Sequence, residues 1–407
     1  MLVDLHAHYP MHVGPSDQAT MPLRLWSKRG RASFMDRFDA TLIAAASRLG
    51  NHESLTSGPR VTVEAMRRGG VGVALSVLCT PLLEMGNHYT RRYRRKPPYG
   101  GPPEDRYLAV LLRQLSAVEA RVQYRHAGRA RIVRSPQELD EAVRNNELAL
   151  VHCVEGAFSL GASQQSIRDG VHALACRGVA YVTIAHLVWR HMATNAPAIP
   201  AISDRLYNWI FPQPDIGLSD LGRAVIRAMV TEGVLVDITH MSTAAVEDTL
   251  ALMDDLDPDR SVPVIASHSA FRFGRHEYNL PARTVERIAA RGGVIGLILS
   301  PHFLADGLNE HHSHTWKSAF EIFCSHIDQI RTVTGSHHHV ALGSDLDGFI
   351  KPTLAGLEGS HKLGRLGPAL AARYGSRAAQ DIAATNALRV LRTGWRGAPP
   401  PTPSGSG

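Results

Sequence analysis

The first stretch with chemistry in it is Met1-Leu-Val-Asp-Leu-His6-Ala-His8-Tyr-Pro10. Val3 and Leu5 mark an apolar strand, and Pro10 stops its pairing. Side chains at i and i+2 of a strand share one side, so His6 and His8 aim two imidazoles at one point just past its carboxyl end. A divalent metal asks this of two adjacent ligands. The triplet is weak by itself, because a chain of 407 residues with 22 histidines meets such spacings by chance, and two solvated histidines fit it as well. Its weight comes from repetition. Glu155 follows the apolar run 148–154, His186 follows 179–185, His240 follows 234–239, His268 follows 262–267 and Asp345 follows 339–344.

Positioning these residues requires a particular set of elements. The apolar runs at the N-terminus, 71–79, 148–154, 179–185, 234–239, 262–267, 294–300 and 339–344 read as eight strands, with helical patterns between them. Helices are expected over 33–48, 61–68, 104–127, 136–145, 166–177, 218–232, 242–254, 284–291, 316–334 and 376–392. Ser135-Pro136 is an N-cap followed by proline at the first helical position, and Gly233 is a helix stop. The strand runs are nearly continuous in Val, Ile, Leu and Ala, as parallel strands covered on both faces require. Eight such units predict an α/β fold, a (β/α)8 TIM-like barrel, with a doubly wound open sheet as the alternative. No GxGxxG follows the first strand, which argues against a dinucleotide fold. In a parallel barrel all strand ends lie on one face, which brings residues 6 and 345 together. Residues 1–393 read as one domain with long insertions after the first and second strands, and the Pro/Gly/Ser-rich 394–407 as a disordered tail.

Four histidines (His6, His8, His240, His268) with Glu155 and Asp345 suit a borderline divalent ion such as Zn²⁺. Two ions bridged by a carboxylate use this set best: His6 and His8 on one, His240 and His268 on the other, Glu155 between them. A hydroxide bridging the ions, from a water whose pKa is lowered to roughly 7, is then the nucleophile. Asp345 accepts its proton and passes it to a leaving amine, and His186 is left to stabilise an oxyanion.

Bulk properties narrow the classes. No run of about 18 apolar residues exists, so no membrane span is expected. The N-terminus lacks a basic region followed by an apolar stretch, and the ligand set begins at residue 6, which predicts a cytoplasmic protein. The four cysteines (Cys79, Cys153, Cys176, Cys324) form no CxxC and read as free thiols. Much of the net charge of +7 lies in Arg91-Arg-Tyr-Arg-Arg-Lys96, a solvated loop rather than a nucleic-acid surface, since no recognition module accompanies it. A small-molecule substrate is the expected partner, with neither nucleic acid nor membrane, and a homodimer is left open.

Several stretches, in order, resemble the membrane dipeptidase (renal dipeptidase) family of zinc peptidases in the amidohydrolase superfamily. They are Asp4-Leu-His6, Val154-Glu-Gly156, Tyr181-Val-Thr-Ile-Ala-His186, Val236-Asp-Ile-Thr-His240-Met-Ser242, Pro263-Val-Ile-Ala-Ser-His268-Ser-Ala270, Leu342-Gly-Ser-Asp345-Leu-Asp-Gly348 and Asn386-Ala-Leu-Arg-Val390. The resemblance implies a (β/α)8 barrel, two zinc ions, a bridging glutamate and hydrolysis of dipeptides, with His186 at the scissile group. The chain departs from the pattern twice. His8 stands where the family has aspartate, although the wider superfamily uses HxH. Tyr278 stands where the family clamps the substrate carboxylate with arginine, and it lacks a bidentate charged fork. Arg275, Arg272 or another arginine substitutes, or the substrate has no free carboxylate there. The alternative function is therefore an amidohydrolase of a non-dipeptide amide or lactone, a pathway tailoring enzyme. A silent barrel using the basic loop for binding is a third, opposed by the intact ligand set. Trp189 and Arg190 are candidate substrate contacts or ordinary loop packing. His311, His312 and His314 are candidate pocket residues or solvated ones, and His337–His339 lie on the opposite face.

Overall fold

A computed structural model describes residues 1–13, 59–80, 84, 103, 106–199, 203–308, 314–348, 350 and 353–399. The expected helix 33–48, the basic run 91–96, and His311 and His312 lie outside the described residues.

Among the described residues there are nine parallel strands: β1 (Leu2–Ala7), β2 (Val71–Cys79), β3 (Ala130–Val133), β4 (Leu148–Glu155), β5 (Tyr181–Thr183), β6 (Leu235–Asp237), β7 (Val264–Ser269), β8 (Val294–Leu297) and β9 (Val340–Leu342). Eight close into a barrel, because β2 pairs with β4 along its length and β1 pairs with β9. The ninth, β3, takes the edge of β4 over Leu148–Val151, and β5 takes the same edge over Val154–Glu155. Four residues long and paired along one edge, β3 has too little apolar pattern to be read from sequence.

Around the barrel lie α1 (Val63–Arg68), α2 (Arg106–Arg125), α3 (Pro136–Arg144), α4 (Gln164–Ala175), α5 (Asp204–Ile210), α6 (Asp220–Glu232), α7 (Thr243–Leu256), α8 (Ala282–Ala290), α9 (Trp316–Thr334), α10 (Leu366–Tyr374) and α11 (Asn386–Gly394). Their starts are chemically marked: Thr62, Ser135, Ser163, Ser203, Ser219, Ser242 and Thr315 each accept a first-turn backbone N–H. α5 lies between the expected strand 179–185 and the expected helix 218–232, where no helix was expected. No helix among the described residues is long and apolar enough to cross a membrane.

Two apolar layers follow from the strand alternation. Val3, Leu5, Val73, Leu75, Ala149, Val151, Leu235, Ile265, Val294 and Ala341 fill the barrel interior. Leu388, Leu391 and Trp395 of the closing segment cap that interior from below. Trp395 is buried and the Ala398 amide donates to Arg134 O, so the packed chain runs past the boundary expected at 393. The other face of the strands meets the helices in a larger layer. The cysteines are free, three buried and Cys176 exposed.

Candidate metal centre

Alternation alone would misplace two of the histidines. On β1, Val3 and Leu5 face inward, so His6 should face out. Between Asp4 and Ala7 the register slips by one residue against β2. The same slip occurs on β7 between Ala266 and Ser269, where His268 lies. Such bulges re-aim a side chain, and both rings turn into the barrel mouth, their centroids 3.6 Å apart. His240 and Asp345 reach the same space from left-handed backbone, φ 68° and 53°. Non-glycine residues held there cost of order 1–3 kcal/mol and cluster at functional sites.

The expected residues converge. Glu155 Oε1 is 3.3 Å from His6 Nε2, 3.2 Å from His240 Nε2 and 3.4 Å from His268 Nε2. Its Oε2 lies 3.7 Å from His8 Nε2 and 3.2 Å from His186 Nε2. Asp345 Oδ1 is 3.0 Å from His8 Nε2. His6 Nε2 and His8 Nε2 face each other at 3.2 Å, as do His240 Nε2 and His268 Nε2 at 3.1 Å. All seven side chains are buried. Three triplets bring ligand atoms close enough for one ion: His6–His8–Glu155, Glu155–His186–His240 and His6–His268–Asp345. The first follows the expected grouping. In the second His186 joins His240 and Glu155, while His268 Nε2 also lies 3.1 Å from His240 Nε2 and 3.4 Å from Glu155 Oε1, as the expected pairing of the two histidines requires.

The donor chemistry fits a metal. Facing imidazole nitrogens repel unless a cation or proton lies between them. Two nitrogens bound tetrahedrally at about 2.05 Å are about 3.3 Å apart, close to the spacings here. The far ring nitrogens are spoken for. Tyr181 donates its hydroxyl to Leu5 O, 2.9 Å, so it accepts from His6 Nδ1 at 2.8 Å. Ser267 donates its hydroxyl to Asp237 Oδ2, 2.6 Å, so it accepts from His268 Nδ1 at 2.9 Å. Both rings thus carry the proton on Nδ1 and turn an Nε2 lone pair inward, the tautomer a ligand needs. Asp237 also accepts from Ser267 N, Thr183 Oγ1 and Thr239 Oγ1. Cys79 Sγ is 3.6 Å from His8 Nδ1.

Electrostatics sharpen the roles. Burial opposes charge on Glu155, but interactions with the neighbouring His186 and His6 rings and hydrogen bonds from His186 and His240 hold its carboxyl well below the usual range. Burial pushes Asp345 well above that range, with the Glu155 charge adding and His6 opposing. Burial, then electrostatic interaction with the His6 and His240 rings, lowers His268 well below an ordinary imidazole. For His186 burial is overridden by the Glu155 and Glu84 carboxylates, which raise it well above the ordinary value.

Other expectations resolve differently. Tyr278 is buried beside the centre, its hydroxyl donating to His268 O at 2.7 Å and its ring stacked on Phe303 at 4.1 Å. Arg272 donates to Asn279 O and Glu277 O, while Arg275 is exposed. Arg190, a candidate substrate contact, is buried and donates to Glu84 O at 2.8 Å. Trp189 stacks on His191. His337 packs on Tyr374 and His339 Nδ1 faces Gly293 O, at the foot of β9. Glu84, Tyr181, Asp237 and Ser267 were not singled out from sequence. Their signal was present as polar residues inside or just past otherwise apolar strand runs.

The family model for membrane dipeptidases, peptidase family M19, matches residues 38–395. An uncharacterized dipeptidase of Schizosaccharomyces pombe is 30% identical over 251 residues, 61% of this chain and 54% of that protein. The chain spans about half the length of the curated relatives it matches. A solved metallopeptidase, the dipeptidase AC, has a TM-score of 0.69 at 17% identity, covering 97% of this chain and 99% of that one. A metallopeptidase from Rhodobacter sphaeroides, liganded with a phosphinate mimic of the dipeptide L-Ala-D-Ala, has a TM-score of 0.68 at 18% identity, with coverages of 97% and 99%. At these identities the solved structures establish a shared fold. With the family model spanning most of its length, the chain belongs to the membrane dipeptidase family.

Proposed function

We propose that the chain is a metal-dependent hydrolase that cleaves the amide bond of dipeptides. The observation that carries this is the convergence of four Nε2 atoms on one buried carboxylate, with two rings held in the ligating tautomer. His6, His8, His240 and His268 would hold two ions, with Glu155 shared between them. When bound, a pair of zinc ions supplies a nucleophile from water at neutral pH and an electrophile for the carbonyl oxygen. Asp345, its Oδ1 facing the same space as His8 and His6, takes up the proton of the attacking water and delivers it to the departing amine. His186 presents Nε2 over Glu155 and hydrogen-bonds the oxygen that becomes negative as the carbonyl is attacked. Burial of all these groups excludes bulk water and strengthens each interaction. Metal-replete protein assayed against a broad dipeptide panel, D-residues at the C-terminal position included, should release free amino acids. No cleavage of any member overturns the proposal.

A second reading keeps the chemistry and changes the substrate to an amide or lactone without a free carboxylate. Tyr278 favours it, because its hydroxyl is committed to His268 O and Arg272 to backbone carbonyls. Comparing a dipeptide with its C-terminal amide decides: strong preference for the free acid removes this reading.

A further inference from the structure

Glu84 lies shortly beyond β2 and is fully buried. Its carboxylate is wrapped by three consecutive residues. Oε1 accepts from the backbone N–H groups of Leu187, 2.8 Å, and Val188, 3.1 Å. Oε2 meets His186 Nδ1 at 2.5 Å. The backbone carbonyl of Glu84 is itself held by Arg190 Nη1 at 2.8 Å, and that guanidinium lies over the Phe158 and Tyr107 rings at 4.7 and 5.6 Å. The side-chain amide of Asn195 donates to His186 O, which fixes the other end of the residue.

This arrangement limits the imidazole. An ionised carboxylate only accepts, so Nδ1 must carry a hydrogen and point at Glu84. A ring flip would turn carbon toward Oε2 and lose the bond. The ring is thus left one orientation, with Nε2 3.2 Å from Glu155 Oε2, over the mouth of the metal centre. A merely structural carboxylate would need only the two backbone donors to hold the turn at 186–188. The additional short contact to the ring is what points to a role through His186.

We propose that Glu84 is the positioning residue that aims His186 Nε2 at the scissile carbonyl, with Arg190 as the anchor of Glu84. This rests on the reading of His186 as the group that meets the substrate oxygen. The principal variant is Glu84→Gln, whose amide oxygen can keep Leu187 and Val188 satisfied while an N–H replaces the acceptor facing Nδ1. Removing an outer partner of this kind typically lowers activity 10–100-fold. The expected result is a kcat fall of that size with KM and bound metal unchanged, partial recovery in Glu84→Asp, and a turned His186 ring in crystals of Glu84→Gln. In a double-mutant cycle, Glu84→Gln should add nothing to His186→Ala, because both act through one ring. Additive losses, a wild-type kcat with an unmoved ring, or a loss that follows metal content would overturn the proposal. Should the wild-type protein cleave no dipeptide, the functional reading fails, and the ring orientation in the same crystals still decides the role of Glu84.

Discussion

Single atoms set the tolerance of this centre. A β-carbon added at Gly348 would lie 1.8 Å from Asp345 Oδ1 and 2.7 Å from His8 Nε2, so no other residue fits without moving a functional group. Gly348→Ala should fold and yet lose about 100-fold in kcat/KM on a cleaved dipeptide, since misplacement of about 1 Å costs that much. Near-wild-type kinetics would show that the Asp345 carboxylate moves aside freely. Asp237 acts one step further out, through Ser267 to His268. Asp237→Asn should weaken metal binding 10–100-fold in competition with a chromophoric chelator, a measurement that needs no substrate. Unchanged affinity would reduce Asp237 to a strand-packing role. The ligand-type residues were legible in the sequence because each ends an apolar run. Glu84 and Asp237 were less so, because a carboxylate that serves another side chain leaves no spacing signature of its own.

Elements carry a second kind of dependence. His326 on α9 accepts the Phe271 N–H on Nδ1 and directs Nε2 to Leu304 O, tying the loop after β7 to the turn after β8. Burial lowers its pKa from 6.5 to about 4, with its backbone hydrogen bonds opposing. The folded protein therefore keeps this ring neutral while the unfolded chain protonates it below about 6.5. The sign follows: the stability contributed is present above pH 6.5 and is lost as pH falls from 6.5 toward 4. The loss from this residue is of order 3 kcal/mol. His326→Gln should flatten that part of a urea-unfolding series against pH, and an unaltered slope would assign the acid sensitivity elsewhere. The bulges on β1 and β7 belong to this scale too. They were invisible in sequence, because an extra residue in a strand looks like any other until its partner strand is known.

For the molecule as a whole, the barrel is what makes a centre out of distant residues. Five imidazoles and two carboxylates face one buried space, and a bound divalent ion would offset their mutual repulsion. Metal that binds only the folded state stabilises it by about 4 kcal/mol at a thousandfold excess over Kd. Chelator treatment should therefore lower the melting temperature, and titrated Zn²⁺ should restore it in a concentration-dependent way. A melting curve indifferent to both would remove the metal from the account of stability and weaken the functional proposal with it.

The fold class was readable from the chain alone, and so were the residues that converge in the barrel mouth. Continuous apolar runs demand strands buried on both faces, and a chemistry-bearing residue at the end of six of the eight runs survives any choice of loop. Four strands, β5, β6, β8 and β9, came out shorter than their apolar runs, as at Val340–Leu342. How the residues face one another follows from the fold: the slipped registers that turn His6 and His268 inward, the contact of His268 with His6, the clamp of Glu84 on His186, and the commitment of Tyr278 to a backbone carbonyl. These depend on distances between segments far apart in the chain, and a one-dimensional pattern carries no information about them.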